Sequence, residues 1–260
     1  MGRRAHTSHA RTGGRRKRSR AAAALLAAAG LTYNDWLLQF VVPTGMDQRN
    51  SYVSEVFAAD QPHRVLFGGI ETGTALLVTG AAALALPGVR RDGAGARWAA
   101  AGWAAVAAFG LCSLADVAWP MRCAPSREAG CPTDNAAHTL TSGSVHFALF
   151  ASMAAFLCAA RADPARWRRL ARRTRWLLPV SMTAAILSAG PYVGLQGSQG
   201  TAQRIHLATV AVWFWLLAAE LLGERPEPAP ARQPGVSGER PSWPGVLLLL
   251  ARGGKPQKQN

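Results

Sequence analysis

Between Ala21 and Leu222 the chain repeats one pattern six times: an apolar stretch of about 20 residues, then a polar connector. An α-helix needs that length, at 1.5 Å per residue, to cross a hydrocarbon core about 30 Å thick. The stretches run over about 21–42, 63–86, 98–118, 141–160, 176–195 and 202–222. A mean hydropathy of +0.05 conceals them. Residues 1–20 are strongly basic, residues 223–260 are rich in Pro, Gly and charge, and both dilute the apolar middle. A water-soluble globular domain is excluded. The sequence predicts an all-α, polytopic six-helix transmembrane bundle over 21–222. A basic tail precedes it (1–20) and a disordered Pro/Gly-rich tail follows (223–260).

Charge gives the orientation. Lys and Arg number 29 against 14 Asp and Glu, for a net charge of +15. Most of the basic residues fall in alternate segments: the tail with Arg15-Arg16-Lys17-Arg18, the turn with Arg90, Arg91 and Arg97, the Arg-rich connector 161–175, and the segment after 222. The intervening connectors and the helix starts beside them hold only Arg49, Arg64, Arg122, Arg127 and Arg204. The positive-inside rule then places both termini in the cytoplasm of a multi-pass cell-membrane protein. The high charge is thus a topology signal, and no nucleic-acid partner is called for. The expected partners are the bilayer itself and, at the basic N-tail, anionic lipid headgroups.

Ionisable side chains at membrane depth are costly and mark function by default. Counting from the predicted outer ends, Asp35, Glu71, Asp116, His146 and His206 fall in one outer layer contributed by five helices. Asp134, His138, Ser142 and His146 recur every four residues, so a helix capped by Thr133 would line them up in a stripe with Asp134 orienting His138. Gly69 and Gly73 flank Glu71 at a spacing that lets helices approach closely. Together with Glu55 in the first external loop and Arg204 at the start of the sixth stretch, these residues define an expected polar cluster open to the outside. Cys123 and Cys131 share one external connector and can pair in an oxidising compartment, whereas Cys112 and Cys158 sit within helices as packing residues. Trp98, Trp103, Trp119, Trp176, Trp213 and Trp215 are expected mostly as anchors near span ends or toward lipid.

Several short motifs carry a resemblance. They are Ser54-Glu55 ahead of Gln61-Pro62-His63, Trp119-Pro120 closing the third stretch, Gly143-Ser144-Val145-His146-Phe147 in the fourth, and Gln203-Arg204 leading through Trp213 to Ala219-Glu220 in the sixth. Over roughly residues 21–222 the chain resembles the domain-of-unknown-function 998 family of six-helix bacterial integral membrane proteins. Members often carry an Asp just after the aromatic-Pro pair; here Met121-Arg122-Cys123 stand there, and acidic residues return at Glu128 and Asp134. The resemblance implies fold and location, and no reaction.

Three functional classes follow. The first is a non-catalytic membrane protein for small-solute transport, lipid binding or sensing, with the polar cluster lining an outward-facing cavity. The second is a membrane-embedded metal-dependent hydrolase in which Asp116, His146 and His206 would hold the ion and a water complete its shell. The third is a haem protein with His146 and His206 as axial ligands. No HExxH pattern supports the second, and no internal repeat between the two halves supports a duplicated carrier.

Overall fold

The computed structural model describes residues 3–89, 92–132, 135–195 and 197–223, with side chains from residue 13 onward. Six α-helices carry the fold: α1 Arg3–Thr32, α2 Arg64–Ala85, α3 Ala96–Ala118, α4 Ala136–Ala162, α5 Pro164–Ser188 and α6 Gln199–Gly223. Among the described residues there is no strand, and short 3-10 turns at Asp35–Phe40, Val53–Phe57, Leu86–Gly88 and Gly190–Val193 fill the connectors. Each helix packs against its neighbours in sequence, and α6 packs back against α1, so the six close into a ring. Four of them, α2, α3, α4 and α6, are long and apolar enough to cross a membrane.

The ring is filled by aromatic side chains seated on small ones. Tyr33, Phe109 and Phe214 pack with centroids 5.3–5.8 Å apart. Phe156 lies between Trp103, Trp167 and Trp213. Room for these rings comes from missing side chains: a Cβ on Gly102 would sit 2.6 Å from the Phe156 ring, so glycine there lets α3 approach this ring of α4 closely. Trp103 and Trp213 are buried in this core, which corrects their expected role as anchors. Trp213 donates its indole N–H to Ser152 Oγ (2.9 Å), while Trp119 and Trp176 remain well exposed.

Two expected stretches differ most from the structure, and the fourth opens at Ala136 rather than at 141. The first does not run as one helix over 21–42. It stops at Thr32, where short polar side chains capture the backbone: the Thr32 hydroxyl reaches the carbonyls of Ala28 and Ala29, and Asn34 Nδ2 donates to Gly30 O (3.0 Å). The chain then continues as the 3-10 segment from Asp35. The fifth begins not at Trp176 but at Pro164, behind an Asp163 cap that accepts the Arg166 N–H (3.2 Å), and it ends at Ser188. The Arg-rich connector is therefore helix. The basic segment 1–20 is likewise helical from Arg3 onward, and the expected tail lies outside the described residues from 224 on.

Side-chain contacts fix the relative heights of the helices. Thr32 bonds Thr74 (2.7 Å), and Gly110 lies against Ala75 and Thr79. Asp116 meets Ser142 (3.1 Å), and His206 meets both His146 and Ser181. In this register Asp35, Glu71 and Asp116 share one level, with His146 and His206 about one helical turn deeper.

Candidate functional site

One end of the ring is covered by a cap built from the connectors, and two of the expected site residues hold it in place. Glu55 is fully buried and satisfied: Oε1 accepts the Tyr52 N–H (2.8 Å), and Oε2 accepts the N–H (2.9 Å) and hydroxyl (2.5 Å) of Ser126. It thereby ties residues 52–57 to the connector after α3. Arg204 does the same from α6. Its Nη1 donates to the carbonyls of Gln48 (2.7 Å), Ser51 (3.0 Å) and Gly200 (3.0 Å), and its Nη2 donates to Gln39 Oε1 (2.7 Å). Gln203 Oε1 accepts the Val53 N–H (2.6 Å) alongside. Tyr52 donates its hydroxyl to Ser188 O (2.8 Å), and burial of that hydroxyl pushes its pKa up to about 12. Exposed Asp47 is held below the usual carboxylate range by the Arg49 N–H and the Asn50 side chain. A disulfide joins Cys123 and Cys131, with Cα atoms 5.9 Å apart.

Beneath the cap lies an acidic layer. Asp116 is the best-connected member: the Thr141 hydroxyl donates to Oδ1 (2.6 Å), the Ser142 hydroxyl to Oδ2 (3.1 Å), and His138 Nδ1 stands 3.1 Å from Oδ1. His138 is buried and forms a T-shaped pair with Phe57. Asp35, just past the break in α1, is buried, and no side chain hydrogen-bonds either of its carboxyl oxygens, the adjacent Trp36 N–H being the one donor that bears on it. Glu71 on α2 feels the charges of both Asp35 and Asp116, and all three act on the buried Tyr33 hydroxyl. Glycines 69 and 73 do not clamp Glu71 as expected. Both are exposed, with no neighbouring group within 4 Å of where a Cβ would stand. Asp134 and Thr133 lie outside the described residues, and α4 starts instead behind Asn135.

One turn deeper the two histidines meet each other. His206 Nε2 is 2.8 Å from His146 Nδ1, and its Nδ1 faces Ser181 O (3.1 Å) and Ser181 Oγ (3.0 Å). A carbonyl only accepts, so Nδ1 carries the proton of neutral His206, and Nε2 accepts from the His146 Nδ1–H. Thr209 donates to Ser181 Oγ (2.8 Å), which extends the line across α4, α5 and α6. His146 also feels the charge of Asp116, one turn above it. Ser181 and Thr209 escape a reading that looks only for ionisable groups; the available signal is a lone hydroxyl inside an apolar helix.

The expected residues therefore fall into three sets: Asp35, Glu71, Asp116 and His138 in the layer, His146 and His206 as a bonded pair, and Glu55 and Arg204 as staples of the cap. Among the described residues no group of three or more His, Cys, Asp or Glu is placed to share a metal ion. The geometry thus does not assemble the Asp116–His146–His206 ligand set. Nor does the histidine pair suit haem, because rings bonded to each other at 2.8 Å leave no gap for an iron between them. A cavity of about 280 Å³ opens at the opposite end of the ring, where Trp103 and Trp167 are rimmed by Arg15, Asp92, Asp163 and Arg166.

A helical ring with four helices fit to cross a membrane, and with carboxyls and imidazoles buried between them, defines an integral membrane protein. Residues 21–220 match the model of the family described as Protein of unknown function (DUF998), and the chain belongs to that family. Comparison with curated proteins and with solved structures found no match.

Proposed function

We propose that the protein is a six-span membrane protein with both termini cytoplasmic and that its acidic layer binds a small cation from the outside, in exchange for protons, as part of solute transport. The observation that carries this reading is Asp35: buried at a helix break, with no side chain bonded to either carboxyl oxygen and with its charge felt by Glu71. Taking such a group out of water is costly unless it is protonated or meets a cation. Non-helical backbone at membrane depth is tolerated only where protein or a cavity shelters it, and broken helices supply ion and substrate sites in many carriers. The His146–His206–Ser181 line, hydrogen-bonded within itself and about one turn below the acids, supplies imidazoles that can take up displaced protons.

The test is infrared difference spectroscopy of the protein in lipid, using ethylammonium and Na⁺ as separate probes. Added cation is expected to remove a protonated-carboxyl band, and Asp35→Asn is expected to abolish that change. A wild-type protein whose carboxyl bands respond to neither probe nor to pH would refute the reading.

A further inference from the structure

We propose that the exposed arginine face of α5 binds anionic phospholipid of the inner leaflet, across a bilayer thinned on that side of the ring. The inference rests on the membrane reading above. Helix α5 turns Trp167, Leu170 and Thr174 inward, and leaves Arg168, Arg169, Arg172, Arg173 and Arg175 exposed on the other side. No Asp or Glu occurs between Pro164 and Ala189, so the face has a single sign.

Height is what makes this face unusual. Arg166 stands 3.8 Å from Glu220, and Ser181 bonds His206, which fixes the antiparallel register of α5 on α6. Arg175 is therefore level with Val212, roughly 16 Å above the end of α6 at Gly223. Along that same depth α6 presents exposed Val212, Trp215 and Leu222, as a lipid-facing helix should. Five arginines on the adjoining helix cannot face hydrocarbon there, because each would be expensive and their costs would add.

The sequence of α5 marks where its own water boundary lies. Trp176 is 68% exposed, the Arg175 guanidinium sits 5.7 Å from its ring centroid, and exposed Val180, Met182, Ile186 and Leu187 follow. An aromatic between a charged run and an apolar run is the signature of a membrane interface. From Trp176 to Ser188 the helix offers roughly 20 Å of apolar length to a core of about 30 Å. Such a mismatch is relieved by thinning of the bilayer, which brings phosphates up to the arginines, and guanidinium and phosphate pair by two parallel hydrogen bonds.

The full chain, purified in mild detergent, is incubated with phosphatidylglycerol or phosphatidylcholine, and retained lipid is counted by native mass spectrometry. Wild type is expected to prefer phosphatidylglycerol, and the exposed-face variant Arg168→Gln/Arg169→Gln/Arg172→Gln/Arg173→Gln to lose that preference by about tenfold or more. Arg16→Gln/Lys17→Gln/Arg18→Gln, in the basic N-tail, should lose clearly less of it than the α5 variant. Equal retention of the two lipids, an unchanged preference in the α5 variant, or displacement of lipid by a nucleic acid or acidic protein bound to these arginines overturns the proposal. A chain released from membranes by alkaline wash overturns the membrane reading and this proposal together. Failure of the cation test alone leaves the lipid result standing.

Discussion

Arg204 and Gly200 make one device, and perturbing either should release the cap. Arg204 is 7% exposed and donates to three backbone carbonyls and the Gln39 side chain. Methionine in its place keeps the length and loses every donor. Buried acceptors stripped of a charged donor cost about 1–3 kcal/mol each, but carbonyls keep a second lone pair and the burial of a guanidinium is no longer required. The net expectation for Arg204→Met is roughly 2–4 kcal/mol of lost stability. Gly200→Ala attacks the same contacts sterically: its Cβ would collide with Ser51 O and stand 2.8 Å from Gln48 O and 3.0 Å from Arg204 Nη1. Because both changes break one set of bonds, the double variant should cost far less than the two singles combined. Denaturation in detergent gives the energies, and hydrogen exchange over residues 43–63 shows whether the cap has lifted. Additive costs, or full protection of that segment in Arg204→Met, would refute the idea that the arginine holds the cap.

Asp35→Asn replaces a buried ionisable carboxyl by a neutral amide of nearly the same shape, so thermal stability at neutral pH should hold or rise even as cation response disappears; a calorimetric scan tests it. Tyr52 has a folded pKa of about 12 against 10 unfolded, so its contribution is intact below pH 10 and lost as pH climbs through 12. Alkaline titration should therefore loosen the Tyr52–Ser188 tie in that window, and Tyr52→Phe should be less pH-sensitive there. Reducing the Cys123–Cys131 disulfide opens a short loop and should cost about 2–3 kcal/mol by denaturant titration. Gly102→Leu should separate α3 from α4 and lower the melting temperature, whereas Gly69→Leu on an open face should not.

Much of this architecture is legible in the apolar pattern, since a helix that must cross lipid has little freedom in length or composition. The ends of α2, α3 and α6 fall within three residues of the stretches read from sequence. The break at Thr32 is not legible that way, because hydropathy averages over a window while three local side-chain bonds decide where a helix stops. The early start of α5 left a trace that charge obscured: Asp163-Pro164 is a helix opening, and Trp167, Leu170 and Thr174 keep helical period inside an arginine-rich run. For the site, counting residues from span ends gives height but not rotation about each axis. Height alone places Asp116, His146 and His206 together; rotation decides that Asp116 goes to His138 and the other two to each other. Glu55 and Arg204 show a second limit. Their charges are visible in the sequence, but their partners are mostly backbone groups, which every residue carries.

The seam where α6 meets α1 is stitched by Trp215, whose indole donates to Ala27 O (3.2 Å) and whose ring packs on Gly30. Those partners are 188 residues apart. Of the six described helices, the one synthesised last is thus the keystone for the one synthesised first. Until it arrives, the first has one flank open. Assembly in the cell would then hinge on whatever shields that flank during synthesis, and a chain stopped before Trp215 would be a substrate for quality control.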